Sequence, residues 1–96
     1  MDKDSFLHSL KEDEPPIHIS LYAQALWYDA KGNWHRAHEI IQAIGDSKAA
    51  RIHAYLHRKE GDLANADYWY WKAGEDSESP KISLKEEWNQ LVDEFV

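Results

Sequence analysis

The feature that most constrains the fold of this chain is an internal repeat. Segments 25–37 and 54–66 share one arrangement of helix-forming residues around a glycine, and the two glycines stand at positions 32 and 61. A repeat of fixed period is typical of stacked helical hairpins, because each hairpin can bury its apolar face only against a neighbour. The repeat therefore predicts an all-α fold, and by itself it indicates no chemistry.

Composition limits the classes of protein to which the chain can belong. Its 96 residues suit one small domain, and the absence of cysteine excludes disulfides and thiolate metal sites. The 11 basic and 18 acidic residues give a net charge of −7, which argues against a nucleic-acid partner. The charged N-terminus and the lack of a long apolar run argue against a signal peptide or a membrane span. We therefore expect a cytoplasmic protein.

Apolar periodicity, prolines and glycines divide the chain into five parts. Helices are expected over residues 4–11, 17–31, 34–44, 48–60 and 63–73, with a last helix from residue 84. Asp46 or Ser47 is the expected N-cap of the fourth helix, Asp62 that of the fifth and Ser83 that of the last. The parts are an N-terminal helix with a proline-rich break (1–16), a first hairpin (17–44), a second hairpin (47–74), an acidic loop (75–82) and a capping helix (83–96).

The two hairpins resemble the tetratricopeptide repeat, which has an aromatic residue in the first helix, a glycine at the turn, and a small then an aromatic residue in the second helix. The resemblance covers about residues 21–74 and implies a stack with a concave, protein-binding surface. The repeat is shorter than usual and lacks the closing proline, which predicts a tighter stack. The residues at these positions are Tyr28, Gly32, Ala37 and Ile41 in the first copy, where Ile41 replaces the aromatic residue, and His57, Gly61, Ala66 and Tyr70 in the second.

A second resemblance involves the middle of the chain. Residues 54–62, followed by the aromatic run 68–70, are similar to a group of small uncharacterised bacterial proteins of this helical type. That resemblance implies a fold and no activity.

The fourth helix carries a basic and aromatic face. Its members are spaced three or four residues apart and therefore share one side of the helix. By the resemblance, this side lines the concave surface, and an acidic peptide or helix is the expected ligand. The alternative is a solvated face whose arginines pair with acids of the chain. The expected binding residues are Lys48, Arg51, Tyr55, Arg58 and Lys59 from this helix, with Tyr22, Leu26 and Asp29 at matching positions of the first hairpin.

Three histidines form a second candidate site. His53 and His57 are four residues apart, a spacing that can present two imidazoles to one metal ion, and His38 lies on the neighbouring helix. A further ligand would be needed, and Asp29 and Glu39 are close in sequence. The alternative is structural, because His57 occupies the half-buried aromatic position of the repeat and a neutral imidazole can pack there. We expect the structural role.

Residues 68–71 form a run of four large aromatic side chains. Successive residues of a helix point about 100° apart, so a two-layer hairpin cannot bury all four. Trp69 and Tyr70 are expected on the core face. Tyr68 and Trp71 then need either the capping helix or a second subunit as cover. A cation-binding aromatic cage would need acids at a supporting spacing, and the sequence has none.

No catalytic motif accompanies these three features. The sequence contains no Gly-x-Ser-x-Gly turn, phosphate loop or dinucleotide fingerprint. We therefore expect a protein-interaction module with a protein or peptide partner, without a cofactor and without enzymatic activity. Two alternatives stay open: a small metal-dependent enzyme built on the histidines, and a self-associating structural protein, in which Tyr68 and Trp71 would form the contact of a homodimer.

Overall fold

A computed structural model describes residues 1–74 and 79–96 and confirms the all-α prediction. The described residues contain no strand. Residues 75–78, the first half of the predicted acidic loop, lie outside the described part of the chain. The helices are α1 (Lys3–Ser9), α2 (Leu21–Ala30), α3 (Trp34–Gln42), α4 (Ser47–Glu60), α5 (Leu63–Lys72) and α6 (Leu84–Phe95).

The helices pack in consecutive pairs, α2 with α3 and α4 with α5. Short turns join the members of each pair, and Gly32 and Gly61 have φ angles of 83° and 90° in these turns. A side chain at either position would be strained in this left-handed conformation, so glycine is required there. The two glycines of the sequence repeat therefore allow the chain to reverse at corresponding points.

Helix α2 begins at Leu21, four residues later than the sequence predicts. The preceding segment turns, with His18 at a φ of 68°, and the Ser20 side chain then accepts a hydrogen bond from the Ala23 N–H. The prediction was wrong because it continued the helix directly from Pro16. A serine that can cap a helix competes with such an extension.

The remaining caps agree with the sequence. Asp46, rather than Ser47, caps α4 by accepting from the Ala49 N–H at 2.7 Å. Asp62 caps α5, and Ser83 caps α6 by accepting from the Glu86 N–H at 3.0 Å. Each cap satisfies a backbone donor that the helix itself leaves unpaired.

The main core lies between the two hairpins and α6. Burying these side chains removes apolar surface from water and provides the main driving force for folding. A smaller cluster joins α4 to α5 and consists of Ala54, Ala66 and Tyr70, with Trp69 packed against it. The largest fully buried apolar residues of the main core are Phe6, Leu26, Trp27, Ile41, Ile52, Leu56, Leu91 and Val92.

Helix α6 packs on α2 and α4 and leaves the outer face of α5 open. The Trp88 indole N–H donates to the carbonyl oxygen of Leu26 at 3.1 Å. Tyr68 and Trp71 remain 49% and 61% exposed. The capping helix therefore does not cover them, which removes one of the two covers expected for this pair.

Within the described residues, no helix combines the length and the apolar character needed to cross a membrane.

Candidate functional site

Helix α4 presents polar side chains on two opposite faces. Arg51 and Arg58 point to one side, and His53 and His57 lie roughly half a turn away from them. Both faces meet other helices, so the polar groups on each must either pair within the protein or face a cavity. On one face the polar groups pair within the protein, and on the other they face a cavity.

On the first face, Glu87 of α6 sits between the two arginines. Its side chain has no exposed area, and its two carboxylate oxygens accept from Arg51 at 2.6 Å and from Arg58 at 2.7 Å. The Tyr70 hydroxyl donates to the same carboxylate at 2.7 Å. Burial, with the hydrogen bond to Glu87, raises the pKa of Tyr70. We call Glu87, Arg51, Arg58 and Tyr70 the glutamate clamp.

A second buried carboxylate, Asp29, lies on the same side of the molecule. Asp29 is 2% exposed and accepts from the Tyr55 hydroxyl at 2.8 Å and from the Lys59 ammonium at 2.9 Å. Burial, together with the neighbouring Asp29 carboxylate, raises the pKa of Tyr55. Both oxygens of Asp29 are therefore engaged within the protein.

These contacts correct the predicted binding face. Leu26 and Tyr55 belong to the buried core, so they cannot form the floor of an open groove. Arg51, Arg58 and Lys59 each pair with a carboxylate, as the alternative reading of this face expected. An acidic helix does occupy the face, but it is α6 of the same chain.

The two remaining members of the predicted face lie apart from the clamp. The Tyr22 hydroxyl donates to Asp46, which lowers the pKa of that carboxyl, and Tyr22 packs its ring on Phe95. Lys48 is exposed in the first turn of α4. The eight predicted binding residues therefore do not form one accessible surface.

The second face of α4 brings the three predicted histidines together. Nε2 of His38, from α3, lies 3.0 Å from Nε2 of His53. One ring nitrogen from each of His38, His53 and His57 lies within 4.8 Å of the other two. Two of the three side chains are buried, and His38 is half-buried. We call these three residues the histidine cluster.

Glu60 engages one ring nitrogen of His57. Its Oε1 accepts from Nδ1 of His57 at 2.7 Å, so Nε2 is the ring nitrogen left to contact a metal ion. Carboxylate-bound histidines of this kind are common in metal sites, where the second interaction orients the ring and makes the ligand nitrogen more basic. Asn65 lies 3.4 Å from the same Nε2.

Two tryptophans hold the other rings in place. Trp34 stacks on His38 with ring centroids 4.8 Å apart, and Trp69 stacks on His53 at 3.9 Å. The Trp34 indole N–H donates to the Leu56 carbonyl oxygen at 2.8 Å, which fixes that ring in turn. The histidine cluster is therefore clamped between aromatic planes from α3 and α5.

Burial affects the protonation of the cluster. It lowers the pKa of His53 to about 4, and the neighbouring His57 and His38 add to the effect. Burial also lowers the pKa of His38. His53 is therefore neutral at pH 7, which is the form that can bind a metal ion.

The cluster forms one wall of a cavity of about 660 Å³ between α3, α4 and α5. That volume lies in the range of small-molecule sites. The wall combines apolar groups with polar ones that can donate or accept hydrogen bonds. The lining residues beyond the cluster are Gln42, Ile44, Gly45, Asp46, Ser47, Ala50, Asn65, Trp69 and Lys72.

Sequence reasoning identified the three histidines but missed their surroundings. It named Asp29 and Glu39 as possible further ligands, whereas Asp29 pairs with Tyr55 and Lys59, and Glu39 is exposed. The partner that it missed, Glu60, lies three residues after His57, a spacing at which helical side chains meet.

Sequence reasoning also missed the partner of the arginines. Glu87 lies three residues after Leu84 and four before Leu91, which places it on the apolar face of α6. A charged residue in that position is a signal for a buried ion pair.

Comparisons of this chain with protein families, with curated proteins and with solved structures give no match.

Proposed function

We propose that the protein binds a divalent transition-metal ion through His38, His53 and His57, with one coordination position open to the cavity. The observation that carries the proposal is the convergence of three ring nitrogens, from two helices, within 4.8 Å of one another. Imidazole nitrogen is a preferred ligand of zinc, copper and nickel.

The spacing of the nitrogens is close to what such an ion needs. Zn–N bonds of 2.0–2.1 Å place two nitrogens of a tetrahedral site about 3.3 Å apart. The His38 and His53 nitrogens, at 3.0 Å, need a small separation to admit an ion. His57 would complete the site, with Nε2 as the ligand atom and Glu60 as the orienting carboxylate.

A site with three protein ligands leaves a position for water or a substrate. Catalytic zinc sites have this composition, whereas structural zinc sites use four protein ligands. An ion in such a site polarises a bound carbonyl or phosphoryl oxygen, or lowers the pKa of a bound water. The cavity beside the cluster supports this function because it gives a ligand space to reach the ion.

The test uses protein that carries no histidine tag. Zinc is added, free metal is removed by dialysis, and bound metal is measured by elemental analysis and its affinity by calorimetry. We expect one equivalent of zinc in the native protein and a loss of affinity above about 100-fold in His38→Ala, since changing a mere orienting partner costs about 10–100-fold.

A matched control separates the cluster from the other histidines. His35→Ala removes an exposed imidazole from the same helix and should leave the affinity unchanged. Glu60→Gln should weaken zinc binding about 10-fold while the three ligands stay in place. Native protein that is folded by circular dichroism and holds no stoichiometric zinc, nickel or copper would overturn the proposal.

The stacked tryptophans provide an independent readout. Trp34 and Trp69 touch the proposed ligands, so bound Cu²⁺ should quench part of the tryptophan fluorescence with a one-to-one titration end point. Trp69→Phe should reduce the quenched fraction without changing the end point. Quenching without saturation would indicate collisions rather than a site.

A second candidate function is self-association through α5. The specific observation is the exposure of Leu63, Tyr68 and Trp71 on this helix, each about half exposed or more. Burying such side chains against a second copy would remove apolar surface from water. The corresponding experiment is the Trp71→Glu prediction in the Discussion.

A further inference from the structure

We infer that the ligand of the open metal position is a small oxyanion, a carboxylate or a phosphate ester, which also contacts the ammonium group of Lys72. This inference rests on the proposed metal site and names the class of molecule that the site takes. It follows from the charge of the loaded cluster and from the chemistry of the cavity wall.

The charge of the cluster is the first step. Three imidazoles bind an ion as neutral ligands, so a divalent ion keeps its full charge, unlike an ion bound by thiolates or carboxylates. Within the described residues, Lys72 adds one positive charge to the cavity wall and Asp46 one negative charge. The Glu60 carboxylate on His57 adds a second negative charge beside the cluster. The divalent ion and Lys72 together outweigh these two carboxylates, so the loaded cavity is cationic, although the whole chain has a net charge of −7.

The carboxylate of Asp46 is already engaged. One oxygen accepts from the Ala49 N–H and the other from the Tyr22 hydroxyl. Both interactions hold it at the start of α4. Asp46 is therefore placed to cap the helix rather than to bind the metal or a cationic ligand.

The other polar groups of the wall can donate hydrogen bonds. Gln42 offers carboxamide N–H groups, Ser47 a hydroxyl, and Lys72 three ammonium protons. The Asn65 amide nitrogen is already placed against Asp62 and His57, at 3.4 Å from each. An oxyanion accepts from the first three groups and binds a metal ion through oxygen. One oxygen on the metal and another on Lys72 would give such a ligand two charge-assisted contacts.

The experiment uses cobalt-loaded protein, because the visible spectrum of Co²⁺ changes when its ligands change. Acetate and methyl phosphate are titrated separately at constant ionic strength and pH 7. We expect a saturable spectral change with at least one of them, and the comparison of the two assigns the carboxylate or the phosphate as the preferred group.

Lys72→Gln should raise the half-saturating anion concentration about 10-fold and leave the affinity for cobalt unchanged. Lys48→Gln is the matched control: it removes the same charge from the first turn of α4, and Lys48 is not among the cavity-lining residues. Its half-saturating concentration should stay within twofold of the native value.

The possible failures are distinguishable. Cobalt that binds but gives no spectral response to either anion would overturn this inference and leave the metal site standing. Equal weakening in Lys72→Gln and Lys48→Gln would overturn the contact with Lys72 and indicate only a general effect of charge. Folded protein that binds no cobalt would overturn both the inference and the proposed function.

Discussion

On one face of α4, Arg51 and Arg58 reach the buried carboxylate of Glu87, and on the opposite face His53 and His57 border a cavity. The glutamate clamp is internally complete, because a carboxylate without exposed area meets two guanidinium groups and a hydroxyl. The histidine cluster has ring nitrogens that meet each other and the cavity. Polar groups that satisfy one another hold a fold together, whereas polar groups that converge on a cavity can bind a ligand.

The largest effect expected from this contrast concerns the clamp. Glu87→Ala removes the carboxylate that both arginines and the Tyr70 hydroxyl share, and breaking a buried ion pair in this way costs about 3–5 kcal/mol. Urea unfolding should show this loss of free energy of unfolding. Glu94→Ala, at an exposed position of the same helix, should change it by less than about 0.5 kcal/mol. If Glu87→Ala is as stable as Glu94→Ala, the glutamate clamp does not stabilise the fold and the contrast between the two faces of α4 is wrong.

The burial of the histidine cluster should make the free energy of unfolding depend on pH. His53 has a folded-state pKa of about 4 and an unfolded value near 6.5, so the unfolded state binds more protons between these values. Its contribution to stability is therefore present above pH 6.5 and is lost as the pH falls to about 4. At about 1.4 kcal/mol per pKa unit, the loss reaches up to about 3 kcal/mol.

Metal-free protein is the right sample for this measurement. Urea unfolding at a series of pH values should show a steeper decline between pH 6.5 and 4 for the native chain than for His53→Gln, which cannot take up the proton. Parallel declines would mean that His53 titrates normally in the folded protein. The histidine cluster would then titrate as a group of exposed histidines does, and not as a buried one.

The smallest effect is expected outside both faces of α4. Trp71→Glu changes a side chain that is 61% exposed, so the free energy of unfolding should move by less than about 0.5 kcal/mol. Light scattering of the native chain and the variant tests self-association. A native dimer that becomes monomeric in the variant would identify the exposed side of α5 as a dimer contact. If the native chain and the variant are both monomeric, that contact is excluded.

The sequence predicted the helix caps better than it predicted which distant residues pair with one another, and the reason is physical. Asp62 and Ser83 could be recognised as caps because the donors they satisfy lie three residues further along the chain. The glutamate clamp joins Glu87 to residues that lie 29 and 36 positions away. Residue spacing within one helix does not indicate such a contact between two helices. The basic face was therefore predicted to bind an acidic peptide or helix as a partner, whereas its two arginines pair with Glu87 of the same chain.

The sequence predicted the histidine cluster less completely than the helix caps but more completely than the glutamate clamp. The pair His53 and His57 follows from helical spacing alone, and adding His38 required only that α3 and α4 be neighbours. The cavity, with Asn65 and Trp69 from α5, depends on how three helices pack. A single sequence therefore showed the ligand types but not the space in front of them.

The bond between the Trp88 indole and the Leu26 carbonyl joins positions 62 residues apart, whereas each hairpin closes over a short turn. Because closing a long loop costs more entropy than closing a short one, the two hairpins should assemble first and α6 should dock afterwards. The histidine cluster, built entirely from α3 and α4, can then exist before α6 arrives. Glu87 would lose its water only in the final step, which makes the docking of α6 the event that commits the chain to its folded state.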